Sequence, residues 1–196
     1  MPHQKTPDGY LSVTEVLSLT IAKPFLLYWY GKNGTAKCEQ IKRESQEIGT
    51  EIHEMIENRF ATDIPIISNK RTAVMVNSFW NKFVIPYQVK PLALEVTIQD
   101  EKLKLQGTFD AYIMCIKGGY MADWKTSNSL DKVSGPLQLS MYDYLYKGSG
   151  KGVLVRIDKE TYKVEIKWYE DLRKYVPIWK AALKLARYIK FGVKDE

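Results

Sequence analysis

The stretch Tyr120-Met121-Ala122-Asp123-Trp124-Lys125-Thr126-Ser127 decides how the rest of the chain is interpreted. Its apolar and aromatic residues predict a buried strand, in which side chains alternate between the two faces of a sheet. Asp123 and Lys125 therefore share one face. A buried charge is costly unless it is paired or bound to a metal. A carboxylate and an ammonium two residues apart on such a strand thus indicate a functional site.

A second carboxylate comes from the segment just upstream, Gly107-Thr108-Phe109-Asp110-Ala111. Gly118-Gly119 is a turn signal, so this segment and the organising strand form a predicted antiparallel hairpin. The thirteen-residue separation of Asp110 and Asp123 suits a hairpin that brings the two acids together. Two carboxylates with a lysine beside them bind a hard divalent cation and place a positive charge next to it. That combination of groups is suited to the hydrolysis of phosphodiester bonds.

A third candidate acid lies one strand earlier. Apolar residues alternate strictly over 92–98, which predicts a half-buried strand with Glu95 on the opposite face. Three successive strands then contribute Glu95, Asp110, and Asp123 with Lys125.

The remaining pattern predicts an α/β (α+β) chain with a central mixed sheet of about five strands flanked by helices. Ser12-Val13-Thr14-Glu15 is a capping box that opens the first helix. We expect one domain over residues 1–196, with an N-terminal helical segment (1–38), an αβββαββ core (39–168) and a basic C-terminal helix (169–196). The other predicted helices cover 39–60, 70–84, 136–147 and 171–190, and a second hairpin pairs 153–157 with 162–168.

Several helical residues have both a functional and an ordinary interpretation. The aromatic run 25–30 predicts core or lid packing, with base stacking as the alternative. His53, alone on its helix, is by itself more typical of a satisfied histidine than of a ligand. Gln138 and Tyr142 are four residues apart and share a helix face, where either could be structural.

The charge is unevenly distributed. Residues 1–146 contain 16 basic and 16 acidic side chains, so the whole net charge of +6 lies in residues 147–196. A basic end beside a metal site indicates a polyanion partner. The basic side of the last helix is predicted to lie along a DNA backbone, with an ordinary solvated face as the alternative. Its members are Arg173, Lys180, Lys184 and Arg187.

Composition excludes some classes of protein. Cys38 and Cys115 lack the spacing of a zinc or iron–sulfur site, and two reduced thiols are expected. No stretch approaches the roughly 18 apolar residues of a membrane span, and residues 1–7 have no apolar signal core. We therefore expect a cytoplasmic protein with no membrane partner.

The order of elements resembles the core of the PD-(D/E)XK nuclease superfamily. Residues 49–57 look like the glycine–histidine helix of its RecB/Cas4-type exonuclease branch, and 107–111 look like its first metal-binding Asp motif. Residues 122–127 are close to the branch's Asp-x-Lys-Thr pattern, and 138–142 match its Gln-xxx-Tyr helix. The Cas4 group holds an iron–sulfur cluster with four cysteines, which two cannot supply. The chain thus looks like a small stand-alone, phage-type exonuclease without that cluster.

The resemblance implies a metal site. Asp110, Asp123 and the backbone carbonyl of Trp124 would hold Mg²⁺ or Mn²⁺, with His53 completing the ligand set. Glu95 would be a further metal or water ligand. Imidazole suits Mn²⁺ better than Mg²⁺, so Mn²⁺ should support activity well.

The same resemblance implies the reaction. Lys125 would position or deprotonate the attacking water, depending on whether burial lowers its pKa or the carboxylates raise it. Gln138 and Tyr142 would orient Lys125 or the DNA. The expected activity is exonucleolytic cleavage of single- or double-stranded DNA ends, leaving 5′-phosphate and 3′-hydroxyl groups. A structure-specific or restriction-like endonuclease and a catalytically silent DNA-binding module are the alternatives.

Overall fold

One mixed β-sheet lies between two layers of helices in this computed structural model, which describes residues 6–127 and 129–192. The strands are β1 (Leu11–Ser12), β2 (Lys90–Asp100), β3 (Leu105–Cys115), β4 (Gly118–Lys125), β5 (Gly152–Ile157) and β6 (Val164–Tyr169). Their order in the sheet is β1-β3-β4-β5-β6, and β2 pairs with the edge of β3 opposite to β1 and β4. This confirms the predicted α/β fold with a mixed sheet flanked by helices. The sixth strand is the two-residue β1, which pairs in parallel with the start of β3.

The helices lie close to their predicted positions. Both bonds of the predicted capping box form, because Ser12 Oγ accepts the N–H of Glu15 at 3.0 Å and Glu15 Oε2 accepts the N–H of Ser12 at 3.4 Å. The last helix begins at Val176 rather than at residue 171, since Pro177 fits only the first turn. The helices are α1 (Val13–Thr20), α2 (Pro24–Asn33), α3 (Thr35–Thr62), α4 (Arg71–Phe79), α5 (Ile85–Tyr87), α6 (Ser134–Tyr146) and α7 (Val176–Phe191), with a π-helical turn (Trp80–Val84) joining α4 to α5.

Each face of the sheet covers a separate hydrophobic core. The first core lies under α3 and α4, and the second lies under α1, α6 and α7. Along β4 the alternation divides the residues as predicted, with Trp124 in the first core and Met121 in the second. Buried residues of the first core include Ile52, Ile56, Phe79, Trp124 and Val155. Those of the second include Val16, Phe109, Met121, Met141 and Leu183.

Halfway along β2 and β3, the inward-facing side chains of both strands switch from one core to the other. Leu94 pairs with Ala111 and both pack on the first core, whereas Val96 pairs with Phe109 and both pack on the second. The step between these two pairs falls at Glu95, whose backbone is left-handed with φ of 47°. The prediction that residues 92–98 alternate on a single face is therefore wrong, because the left-handed residue reverses the alternation.

The α2–α3 hairpin extends beyond both cores. No residue of α2 is buried, and the residues of α3 that pack on a core begin at Ile48. The predicted core packing of the aromatic run 25–30 is consequently wrong for two of its rings, because no other described residue buries this side of α2. Phe25 and Tyr28 are 66% and 74% exposed.

Predicted segments at the two ends, residues 1–5 and 193–196, lie outside the described residues. None of the helices in the described part of the chain combines the length and apolar character needed to cross a membrane.

Candidate active site

The site lies where β3 and β4 separate. Their ladder ends with the pair Ala111 and Ala122, so the next residues on the two strands are Asp110 and Asp123. Beyond this point Asp110 Oδ2 accepts the backbone N–H of Trp124 at 2.7 Å. A side-chain carboxylate thus replaces the backbone carbonyl that a continued ladder would supply, and the buried N–H stays satisfied.

Three side chains from three elements converge at this split. His53 on α3 places Nδ1 3.6 Å from Glu95 Oε1 on β2 and 3.6 Å from Asp110 Oδ1 on β3. One ligand atom from each residue lies within 4.8 Å of the others. Carboxylate oxygens with one imidazole nitrogen form a ligand set that suits a divalent cation. The face change at Glu95 is what brings its carboxylate to this position.

His53 also contacts β4, through Nε2 at 3.1 Å from the carbonyl oxygen of Trp124. Burial favours the neutral imidazole, but the negative charge of Asp110 and the hydrogen bond to Glu95 outweigh it. The pKa of His53 is raised to about 9. The metal-free site therefore carries a protonated imidazole at neutral pH.

Asp123 is 1% exposed, and its two oxygens have different partners. Oδ1 accepts the ammonium of Lys125 at 2.7 Å. Oδ2 is buried and has no hydrogen-bond partner among the described residues. Burial raises the pKa of Asp123 to about 6, although Lys125 opposes the shift. A buried carboxylate oxygen without a partner needs an explanation, and a bound cation would supply one.

From the sequence, the pKa of Lys125 could be lowered by burial or raised by the neighbouring carboxylates. Burial lowers its pKa, but the charges of Asp123 and Asp110 dominate, so the net shift is upward. Its side chain keeps 37% exposure beside the almost fully buried carboxylate. In the metal-free site the Lys125 side chain is therefore an ammonium at neutral pH.

Tyr142 and Gln138 lie next to this ion pair on α6. Gln138 Nε2 donates to the Tyr142 hydroxyl at 3.4 Å. Tyr142 is buried, and burial raises the pKa of its hydroxyl, with the charge of Asp123 acting in the same direction. The ring packs directly against Gly107 of β3, where an added Cβ would lie 2.6 Å from Tyr142 Cε1.

The four basic residues predicted to contact DNA have separate surroundings. Arg187 donates to the carbonyl of Leu103, and the Lys180 ammonium lies 4.9 Å from the ring centre of Tyr144. Arg173 lies in the turn before α7, whereas Lys184 is exposed on α7. Lys180, Lys184 and Arg187 follow one another at helical spacing on one side of α7, and only Arg173 lies outside that helix.

One supporting residue escaped sequence reasoning. The Arg156 guanidinium donates to the carbonyl of Ser127 at 2.9 Å and pairs with Asp158 and Glu165. It lies opposite Lys125 in the β4–β5 register and so secures the chain leaving the site. The signal was a lone arginine inside the apolar run of β5.

No protein-family profile matches the chain, and no curated protein matches it in sequence. Among solved structures, SSO0001 is similar at 15% identity with a TM-score of 0.53, over 96% of this chain and 79% of that one. An alkaline exonuclease (LHK-Exo) from Laribacter hongkongensis shares 12% identity with a TM-score of 0.45, over 93% and 92%. LHK-Exo in complex with dAMP gives 14% and 0.44, over the same shares of the two chains. At these identities, the likeness to SSO0001 indicates a shared fold and nothing about activity.

Proposed function

We propose that the chain is a divalent-metal-dependent deoxyribonuclease of the PD-(D/E)XK type, in the RecB/Cas4-like branch. The supporting observation is that His53, Glu95 and Asp110 converge within 4.8 Å beside the Asp123–Lys125 pair. Six residues from four elements meet at the one place where the β3–β4 ladder opens, once Trp124 is included. A purely structural ion-pair network has no need for an oxygen such as Asp123 Oδ2, which lacks a partner among the described residues.

The ligand set fits Mg²⁺ or Mn²⁺. His53, Glu95 and Asp110 would hold the ion, with Asp123 Oδ2 and the Trp124 carbonyl as further donors. When bound, such an ion lowers the pKa of a water and neutralises charge on a scissile phosphate. The imidazole nitrogen favours Mn²⁺ relative to an all-oxygen site.

Side chains around the ligand set would stabilise charge on the phosphate and position the DNA. Lys125 presents a fixed ammonium that offsets the charge developing on the phosphate. Asp123 holds that ammonium at 2.7 Å, which positions it against the strand end. Tyr142 and Gln138 border the pair and would orient Lys125 or the DNA backbone. Of the basic C-terminal residues, Lys184 and Lys180 are exposed and would add non-specific phosphate contacts.

We propose cleavage from DNA ends, with 5′-phosphate and 3′-hydroxyl products. This rests on the motif resemblance. A structure-specific or restriction-like endonuclease uses the same chemistry, and a silent DNA-binding module would keep the fold without turnover. The intact set of Asp110, Asp123 and Lys125 favours an active enzyme over the silent module.

The test is degradation of end-labelled linear DNA, single- and double-stranded, beside a closed circle, with Mg²⁺, Mn²⁺ or EDTA. The proteins are wild type, Asp123→Ala and Asp171→Asn, which alters an exposed carboxylate outside the site. We expect metal-dependent loss of linear DNA by wild type and Asp171→Asn only. Cutting of the circle would establish an endonuclease. Binding without cleavage of any substrate would overturn the enzymatic proposal.

A further inference from the structure

Helix α2 exposes two aromatic rings side by side. Phe25 and Tyr28 are three residues apart, and Lys32 follows four residues later, so all three share one face of the helix. We call this set the α2 aromatic face. The opposite side of α2 packs on α3, where Cys38 Sγ donates to the Trp29 carbonyl at 3.6 Å. Two large solvent-exposed rings on a helix that is packed only on its other side indicate an interaction surface.

The start of α2 is connected to the helix that borders the candidate site. The hairpin is antiparallel, since Trp29 near the end of α2 meets Cys38 near the start of α3, so Phe25 lies at the end nearer the sheet. There Lys23 pairs with Asp131 at 3.7 Å. Asp131 in turn accepts the N–H of Ser134 at 2.7 Å at the start of α6, the helix that carries the two residues bordering Lys125.

The charge around this face fits a polyanion. Residues 23–43 contain five basic side chains and one acidic side chain, although residues 1–146 as a whole are neutral. Two of the five are paired, Lys23 with Asp131 and Lys42 with Glu39. The hairpin therefore combines a local excess of positive charge with unstacked rings. A groove or surface of that composition binds single-stranded nucleic acid through phosphate contacts and base stacking.

We propose that the α2 aromatic face binds single-stranded DNA, with bases stacked on Phe25 and Tyr28, and leads the strand to the candidate site. The bases of a duplex are already stacked on each other, so these rings select an unpaired end. This substrate preference rests on the proposed function, because it assumes that DNA is what reaches the site.

The test measures binding in EDTA, where no metal-dependent cleavage occurs. Fluorescence anisotropy gives the Kd for an end-labelled oligothymidylate, for an abasic oligomer of the same length and for a blunt duplex. We compare wild type with Phe25→Leu/Tyr28→Leu, which keeps an apolar surface but removes both rings. We expect the Kd of the double variant for oligothymidylate to rise at least about tenfold, as the loss of two stacking platforms implies. The Kd for the abasic oligomer should change less than about twofold, because phosphate contacts remain.

Two controls sharpen the comparison. Phe25→Tyr/Tyr28→Phe retains both rings and should bind oligothymidylate like wild type. Ile67→Ala removes a 96% exposed apolar side chain outside α2 and should also leave the Kd unchanged. Sedimentation of wild type, the double leucine variant and Phe25→Ala/Tyr28→Ala tests whether a second copy of the chain covers the face.

The outcomes separate this inference from the proposed function. Equal oligothymidylate binding by wild type and the double leucine variant overturns the inference, while metal-dependent cleavage by both leaves the nuclease proposal intact. A selective loss of oligothymidylate binding supports the inference even if no protein in the series cleaves DNA. Self-association that the leucine variant keeps and an alanine double variant loses would assign the face to a second copy and overturn the inference.

Discussion

Gly107 and Tyr142 are in direct contact, and there is no room between them for a methyl group. An alanine Cβ at position 107 would lie 2.6 Å from Tyr142 Cε1 and 3.0 Å from Val13 Cγ2. Because the backbone of a central strand cannot retreat, Gly107→Ala must displace the ring that borders Lys125. The glycine of this motif is thus explained by a close approach to α6, since its φ is not in the left-handed region.

Gly107→Ala is expected to lower both stability and cleavage rate. Overpacking typically costs about 1–3 kcal/mol of unfolding free energy. Gly49→Ala is the matched control, because a Cβ there meets only Thr126 Oγ1 at 3.4 Å and a helical alanine gains about 1 kcal/mol. Chemical denaturation measures both variants. Equal stabilities of Gly107→Ala and wild type would contradict the close contact.

Asp123→Asn should abolish cleavage yet raise stability in the absence of metal. The pKa of Asp123 is raised to about 6 by burial, so its ionised form costs stability above that pH. We expect a gain of about 1–3 kcal/mol at pH 8 in EDTA. The gain should shrink toward pH 5, where the wild-type carboxyl is protonated. A loss of stability at pH 8 would mean that the ion pair with Lys125 outweighs the burial of Asp123.

Metal affinity should rise with pH up to about 9. The pKa of His53 is raised to about 9 by Asp110 and Glu95 against the effect of burial, and a metal must displace its proton. For each pH unit below 9, the apparent Kd for Mn²⁺ should rise about tenfold because of this one proton. Titration calorimetry from pH 6.5 to 8.5 measures it. His53→Gln should bind more weakly and lose this dependence; a variant with the wild-type slope would assign the proton elsewhere.

Within a strand, alanine usually gives a more stable protein than glycine, and we expect the reverse at position 95. The φ of 47° at Glu95 is strained for any residue with a Cβ, at a cost of about 1–3 kcal/mol. Glu95→Gly should therefore be more stable than Glu95→Ala by about 1 kcal/mol. Both should lose metal affinity, because both lack the carboxylate.

The same pair of substitutions at Thr97, two residues along β2, is the control for Glu95. That position has ordinary strand geometry, so Thr97→Ala should be the more stable variant there. Denaturation midpoints of the four proteins give the comparison. The same order at both positions would contradict strain at Glu95.

Much of the fold follows from local signals in the sequence. The capping box at Ser12 and the alternation in β4 each act over a few residues, and the structure contains both. The hairpin signalled by Gly118-Gly119 also forms, but its turn lies at residues 116–117, and the two glycines are the first paired residues of β4. The candidate cluster was accessible for the same reason, since Asp110 and Asp123 sit at the end of one hairpin. Glu95 was correctly placed near them, although the predicted strand geometry around it was wrong.

The remaining features depend on contacts that no local pattern reports. The face change at Glu95 is invisible because residues 92–98 alternate strictly in the sequence. The aromatic run 25–30 reads as core, and only the tertiary position of the hairpin leaves two of its rings in water. The attachment of Arg187 to Leu103 joins residues 84 apart in sequence, so helical periodicity could not distinguish it from a free basic residue.

The crossing of β2 and β3 from one face to the other ties the two cores into one cooperative unit. Phe109 belongs to the second core and Ala111 to the first, with Asp110 between them. Both cores therefore depend on the same two strands, so disrupting one core also removes support from the second. Unfolding should proceed as a single transition in which the two cores and the metal-binding geometry disappear together.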